Sequence, residues 1–381
     1  SSRCGETIHI FICRTHGKNV YASPPQITPI RGVKTALYVC AAKPVKSRHK
    51  GSLPMLSATP YALIDEMLEV PGILRRFDAA QTQDWSAAIK NKKRLLLTGE
   101  GSSRIFPAKN AIDIARRQNM DWHIFTEGAR QAAEYNLADC VVVGSSNSGR
   151  TKELVSLFEK LKPAGIPLYG ITASAGSTLT GIADDSRILS CGAEKAVAAT
   201  KSVIEQALFL QSLLGGSAWQ HQARAADDCA DILSAEIPAE ITDAAASAPL
   251  LYFSGRNNGV CEELTLKANE IARKKSDFLE GTYALHGIEE VMQKDETVIL
   301  IEPFREEIEK YRDILSIKTG VRVIAVASFE TPFPTVKIPA LAGFDAYLQM
   351  MAGWRILVAA GLANGVNLDK PLHARKVGNE V

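Results

Sequence analysis

Apolar positions along the chain fall into two kinds of stretch that alternate. Short continuous runs occur at 93–98 (KRLLLT), Cys140–Gly144, Ile166–Thr172, Leu250–Ser254 and Thr297–Glu302, and within Thr319–Ser328. Their length and two-sided apolarity suit strands buried on both faces of a parallel sheet. Between them apolar residues recur every three or four positions, as in Thr151, Leu154, Val155, Phe158 and Leu161, or Leu264, Ala268 and Ile271. That period predicts helices from Arg150, over Cys261–Lys275, from about Arg104, near Ala129–Tyr135, and over Phe304–Leu315. Two more, near Thr200–Leu214 and Trp219–Ile232, link the halves. A shorter strand is expected at Asp121–Phe125.

Strands alternating with helices at this spacing predict α/β architecture with doubly wound parallel sheets. The second half repeats the first at an offset near 156 residues: Thr319–Ser328 matches Ala164–Ala173, and Leu250–Ser254 followed by Gly255-Arg256 matches Leu95–Thr98 followed by Gly99-Glu100. Two α/β domains are therefore expected, over 55–235 and 236–381, after a segment 1–54 of different character.

Composition refines this picture in three places. The 381 residues, 46% hydrophobic and 23% charged, suit about two globular domains, and no apolar run approaches the ~20 residues of a bilayer span. The seven cysteines are odd in number, scattered and free of CxxC pairs, which points to a reducing cytoplasm and away from a disulfide framework or zinc site. Residues 1–54 hold nine Lys/Arg against one acid, Glu6, whereas the remainder carries 35 bases and 41 acids. The slight net positive charge is thus no nucleic-acid footprint of the folded body. With five prolines and no sustained period, 1–54 reads as a disordered tail or as sequence upstream of a start at Met55.

The chemistry gathers first at Val141–Thr151 (VVVGSSNSGRT). A strand that turns through small hydroxylated residues into a helix brings free N–H groups, the positive end of the helix dipole and hydroxyl donors to one point, which suits an anion. Ser146, Ser148, Thr151 and Ser103 are expected to converge there. Gly99 and Gly101 begin a GxGxxG pattern, but Arg104 stands where its third glycine belongs, so a dinucleotide fingerprint is absent. The second copy has Pro303-Phe304-Arg305-Glu306-Glu307 in place of the serine loop, so one anion site per chain is expected. Lys267 and Glu270 share a helix face, three residues apart. His286-Gly287 follows in a loop, and Asp369-Lys370-Pro371 leads to Lys376.

Taken together these motifs resemble the double sugar-isomerase (SIS) domain of the isomerase half of glucosamine-6-phosphate synthase. They are more similar still to stand-alone SIS-type glucosamine-6-phosphate deaminases. The likeness runs from about Met55 to the C-terminus and implies two tandem, doubly wound, flavodoxin-like SIS domains. The family's SxSGxT loop reads Ser146-Asn147-Ser148-Gly149-Arg150-Thr151, aided by the turn Gly101-Ser102-Ser103. Its GxExxVAxTK signature is Gly192–Lys201, with Val197 and Ala199 on the sugar side. The LKxxE helix is Leu266–Glu270, and the ring-opening histidine is His286. The closing lysine of the C-terminal tail is Lys376. The chain departs from the family at Ile288 in the usual HGP, at Tyr283 for a glutamate, at Lys275 for a histidine and at Ala199 for a serine.

The resemblance implies acid–base chemistry at C1 and C2 of an amino-sugar 6-phosphate such as glucosamine-6-phosphate. Glu270 is the base, Lys267 its electrostatic partner, His286 the ring-opening acid and Lys376 a cover for the open chain. It implies a cytoplasmic homodimer in which the histidine enters from the neighbouring subunit. Neither metal nor organic cofactor is implied, and neither nucleic acid nor membrane as a partner. Two rivals differ in chemistry: a deglycase cleaving a fructosamine 6-phosphate, with room made around Tyr283 and Ile288, and a non-catalytic sugar-phosphate sensor. The sensor has no need of Glu270, His286 and Lys376 together.

Overall fold

The computed structural model describes residues 61–92, 94–374 and Glu380. The expectations for 1–54 and Met55, and the position of Lys376, lie outside the described residues. In chain order the first half comprises α1 (Ala62–Leu68), α2 (Val70–Arg76), α3 (Gln83–Lys92), β1 (Arg94–Gly99), α4 (Ile105–Arg117), β2 (His123–Gly128), α5 (Ala129–Ala132), β3 (Val141–Ser145), α6 (Lys152–Leu161), β4 (Leu168–Thr172), α7 (Thr178–Ile182) and β5 (Asp185–Ile188). Helices α8 (Lys201–Ser212), α9 (Gln222–Ser234) and α10 (Ala239–Ser247) follow. The second half comprises β6 (Leu250–Gly255), α11 (Val260–Ile271), β7 (Lys275–Glu280), β8 (Thr297–Ile301), α12 (Ile308–Tyr311), β9 (Arg322–Ala327), β10 (Thr335–Lys337) and α13 (Asp345–Ala363).

Two five-stranded sheets result, ordered β2-β1-β3-β4-β5 and β7-β6-β8-β9-β10. Every strand pairing within them is parallel. The order is that of a flavodoxin-like sheet, whose direction of winding reverses between the first and third strands. The expected α/β class with doubly wound parallel sheets is what forms. Both sheets lie in one compact unit, Leu53–Val381.

Strand alternation explains how one core serves both sheets. Leu95 and Leu97 of β1 and Val141 and Val143 of β3 point into a central core, which also takes Leu251, Phe253, Ile299 and Ile301 from the second sheet. Their neighbours Leu96 and Val142 face a separate cluster with Leu154 and Phe158 of α6. Tyr252, Val298 and Leu300 face a third cluster with Tyr311 and Leu315. Two helices are buried on all sides: every residue of α8 is buried, its polar Glu205, Gln206 and Gln211 included, and so is nearly all of α13. By length and composition the 19-residue α13 could cross a membrane, contrary to the sequence expectation of no such run; 89% of its apolar window is buried within the protein, which makes it the core helix. At Gly144 a side chain would meet Leu154 and Phe158 at 2.7 Å, so glycine lets α6 sit directly on β3.

Three expectations shift. The helix from Val260 stops at Ile271 rather than Lys275, because Arg273 turns left-handed (φ +52°) and Lys275 opens strand β7. Strands β5, β7 and β10 carry too few buried positions to show an apolar run; β7 alternates along an edge. The single helix expected over 304–315 is instead a 3₁₀ turn, the short α12 and a π-wound stretch, Arg312–Thr319. Its wider winding shows in Thr319 Oγ1 donating to Ile314 O, five residues back, at 2.7 Å.

Candidate active site

The loop after β3 is built by its own hydroxyls. Ser146 N donates to Ile171 O at 3.0 Å, extending the sheet by one bond. Ser146 Oγ then lies 2.8 Å from Thr151 Oγ1 and accepts from Gly149 N at 3.0 Å. Gly149 has φ +65°, and a Cβ there would meet Ser177 Oγ at 2.1 Å; only glycine fits. Ser148 Oγ accepts from Arg150 N. Thr151 is the N-cap residue of α6, yet no side chain caps that helix. Its first N–H groups and dipole are therefore directed at the space in front of the loop, the arrangement that binds anions elsewhere. The buried Ser145 Oγ has no hydrogen-bond partner.

Asn147 ties the loop to the segment that precedes α8. Its Nδ2 donates to Glu194 Oε2 at 3.0 Å, and the same carboxylate accepts from Thr200 N, Ser202 N and Ser202 Oγ. Glu194 thus caps α8 and ties it to the loop through Asn147. Lys201 pairs with Glu69 at 2.8 Å, and Glu66 accepts from Lys195 N and Ala196 N. The Gly192–Lys201 stretch is therefore a structural clamp around the loop. Val197 and Ala199 are half-buried within it.

The turn after β1 meets both halves. Ser103 Oγ is 3.4 Å from Gln206 Nε2 of α8. Ser102 Oγ accepts from Lys267 Nζ at 2.8 Å, and Gly101 lies against Leu266. Lys267 also donates to Glu270 Oε2 at 2.8 Å and lies 3.3 Å from Glu263 Oε1. Lys267 and Glu263 are fully buried, whereas the Glu270 side chain is 23% exposed. Of the two carboxylates only Glu270 can meet a ligand. Burial works against the Lys267 ammonium, but Glu270 and Glu263 outweigh it and hold its pKa above the ordinary lysine value. Burial pushes the Glu263 carboxyl up, with Lys267 opposing.

Sequence reasoning missed Glu263, although its place one turn before Lys267 on the buried stripe was the available signal. It also missed the role of Asp369, whose carboxylate accepts from Ala62 N and Leu63 N at 2.8 and 2.9 Å and so fastens the C-terminal segment to the start of α1. Further on, Glu380 bridges Thr151 and pairs with Arg150 at 2.9 Å, so the chain's end reaches the serine loop. His286 is not brought to Glu270. It is exposed after the Tyr283–Leu285 turn, and its imidazole makes no hydrogen bond or ion pair among the described residues. Tyr283, beside it, is also exposed.

Residues 88–215, which span the first sheet, the serine loop and α8, match the family model described as SIS domain. Glutamine–fructose-6-phosphate aminotransferase (isomerizing) of Clostridium perfringens is 26% identical over 202 residues, 47% of this chain and 33% of that protein; the chain thus spans about a third of this relative's length. The C-terminal domain of glucosamine-fructose-6-phosphate aminotransferase from Francisella tularensis has a similar structure, with TM-score 0.70 and 16% identity over 83% of this chain and 99% of that one. For glucosamine-6-phosphate deaminase from Thermotoga maritima the values are 0.63 and 18%, over 83% and 97%. The chain is similar to the SIS domain over 88–215, and the likeness in fold covers 83% of it.

Proposed function

We propose that the protein is a phosphosugar isomerase or deaminase acting on an amino-sugar 6-phosphate, with glucosamine-6-phosphate the first candidate. The observation that carries this reading is the chain of contacts Ser102–Lys267–Glu270, which sets a ligand-accessible carboxylate beside the turn bearing Ser103. The phosphate is held by Ser146, Ser148, Thr151, Ser103 and the open end of α6. The sugar then extends toward α11 past Gly101 and Ser102.

Each step has a group for it. His286 of the partner subunit protonates the ring oxygen as the ring opens, which makes a homodimer the active unit. Glu270 takes the proton from C2, and the C2 electron pair forms the C1–C2 double bond of the enolamine while the C1 carbonyl oxygen is protonated. Lys267 holds Glu270 in position through their 2.8 Å contact and stabilises the developing oxygen charge electrostatically. Return of the proton to C1 gives the 2-imine, which water hydrolyses to fructose-6-phosphate and ammonia. Positioned proton transfer of this kind contributes roughly 10²–10⁴-fold. The similarity to the Thermotoga maritima deaminase supports the choice of substrate.

The test is a panel assay with glucosamine-6-phosphate, glucose-6-phosphate and fructosamine 6-phosphates, reading ammonia and released amino acid separately. Ammonia from the first alone is expected. Amino acid from the last would replace the deaminase by a deglycase, and no turnover of any would leave a sensor.

A further inference from the structure

A cavity of about 700 Å³ opens at the carboxyl ends of β6, β8 and β9, between the second sheet and α4. None of the serine-loop residues lines it. It occupies in the second sheet the place that the serine loop occupies in the first. The registers make this explicit: Gly99 pairs with Ser145 as Gly255 pairs with Ile301. Ser146 N donates to Ile171 O as Glu302 N donates to Val326 O. Glu302 therefore stands where the first half has Ser146. It is held there with φ +44°, in the left-handed region that non-glycine residues seldom occupy.

The chemistry at this second position is inverted. Glu302 accepts from Ser328 N at 2.8 Å and Ser328 Oγ at 2.6 Å, and a carboxylate at that point repels phosphate. Arg256 stacks on Phe304, 4.3 Å from the ring centroid, and donates to Glu302 O. Arg117 is paired with Asp113 at 2.7 Å. The wall carries three carboxylates, Asp113, Glu302 and Asp345, against two guanidinium groups, Arg117 and Arg256, so no net positive field invites an anion. What remains is a wall rich in amides, among them Gln118, Asn258 and Gln349. Asn110 also lines it, 3% exposed, with its side-chain amide directed at the Tyr347 hydroxyl.

We infer that this cavity is a second small-molecule site, which takes an unphosphorylated sugar through the hydroxyls of its ring. The volume lies in the range of ligand pockets, and the site sits where open α/β sheets bind ligands, outside the carboxyl ends of the strands at the reversal of winding. Paired carboxylates, guanidinium groups and amides supply the mixed donors and acceptors that neighbouring hydroxyls require. This inference is independent of the reaction proposed above.

Saturation-transfer NMR on the full chain, with glucose-6-phosphate present to occupy the serine loop, tests it. The probes are glucose and glucosamine, which differ by one ammonium. Transfer to at least one of them is expected. It should weaken by about tenfold in apparent affinity in Ala342→Trp, which fills the exposed mouth, and fall measurably in Gln118→Ala. Thermal denaturation confirms that the variants fold. Absence of transfer from both sugars, or transfer that neither cavity variant alters, would overturn the proposal.

Discussion

The two sheets share a strand order and differ in the loop that leaves their third strand. After β3 the chain passes through Ser146–Thr151 into an uncapped helix; after β8 it passes through Glu302 and Pro303 into a 3₁₀ turn. One loop offers hydroxyls and free N–H groups, and the other a carboxylate already bonded to Ser328. The second half compensates elsewhere, with α11, whose Lys267 reaches across to Ser102 of the first half. On the function proposed above, the two sheets divide the labour: one holds the anion, and the other brings the acid–base helix.

The sharpest way to break this division is Glu270→Gln. Turnover of the substrate should fall by roughly 10²–10⁴-fold while sugar-phosphate binding, measured by calorimetry, changes little. Wild-type turnover would remove Glu270 from the chemistry. Next in size is Lys267→Met, which leaves the fully buried Glu263 without its counter-charge. Removing one partner of a buried ion pair costs about 3–5 kcal/mol, to be read from urea denaturation. Stability unchanged from wild type would mean that α11 does not depend on the pair.

Ser148→Ala should weaken sugar-phosphate binding about tenfold, the loss of one hydrogen bond to a charged group at ~1.5 kcal/mol. Equal binding of sugars with and without phosphate to the unaltered protein would show the loop to be no phosphate site. The smallest effect is expected for Arg305→Ala, in the second half's counterpart of that loop. Affinity for the sugar phosphate should move by less than about twofold, as at surface positions remote from a ligand. A tenfold loss there would place the anion on the wrong half.

Much of the fold was legible because parallel strands buried on both faces write themselves as apolar runs: Val141–Val143 and Val298–Ile301 are wholly buried. Of the four edge strands only β2 showed in the sequence; β5, β7 and β10 bury too few side chains to write an apolar run. The end of α11 escaped too, since it depends on a left-handed Arg273 that no periodicity signals. At the site, the serine loop and the Lys267–Glu270 pair could be read from local spacing. Glu194 and Asp369 could not be assigned their roles, because each is joined to an element far away in sequence or by a loop whose path only packing determines. Asn147 looks in sequence like one more polar residue of an anion loop, and in the structure it holds Glu194.

The division of labour is tested most directly by solvent deuterium exchange at C2 of glucosamine-6-phosphate, followed against substrate concentration in the wild type, Ser148→Ala and Glu270→Gln. If the serine loop binds and α11 reacts, Ser148→Ala regains nearly wild-type exchange at saturation, and Glu270→Gln fails to exchange at any concentration. Exchange that Glu270→Gln retains, or that Ser148→Ala loses even at saturation, would contradict it.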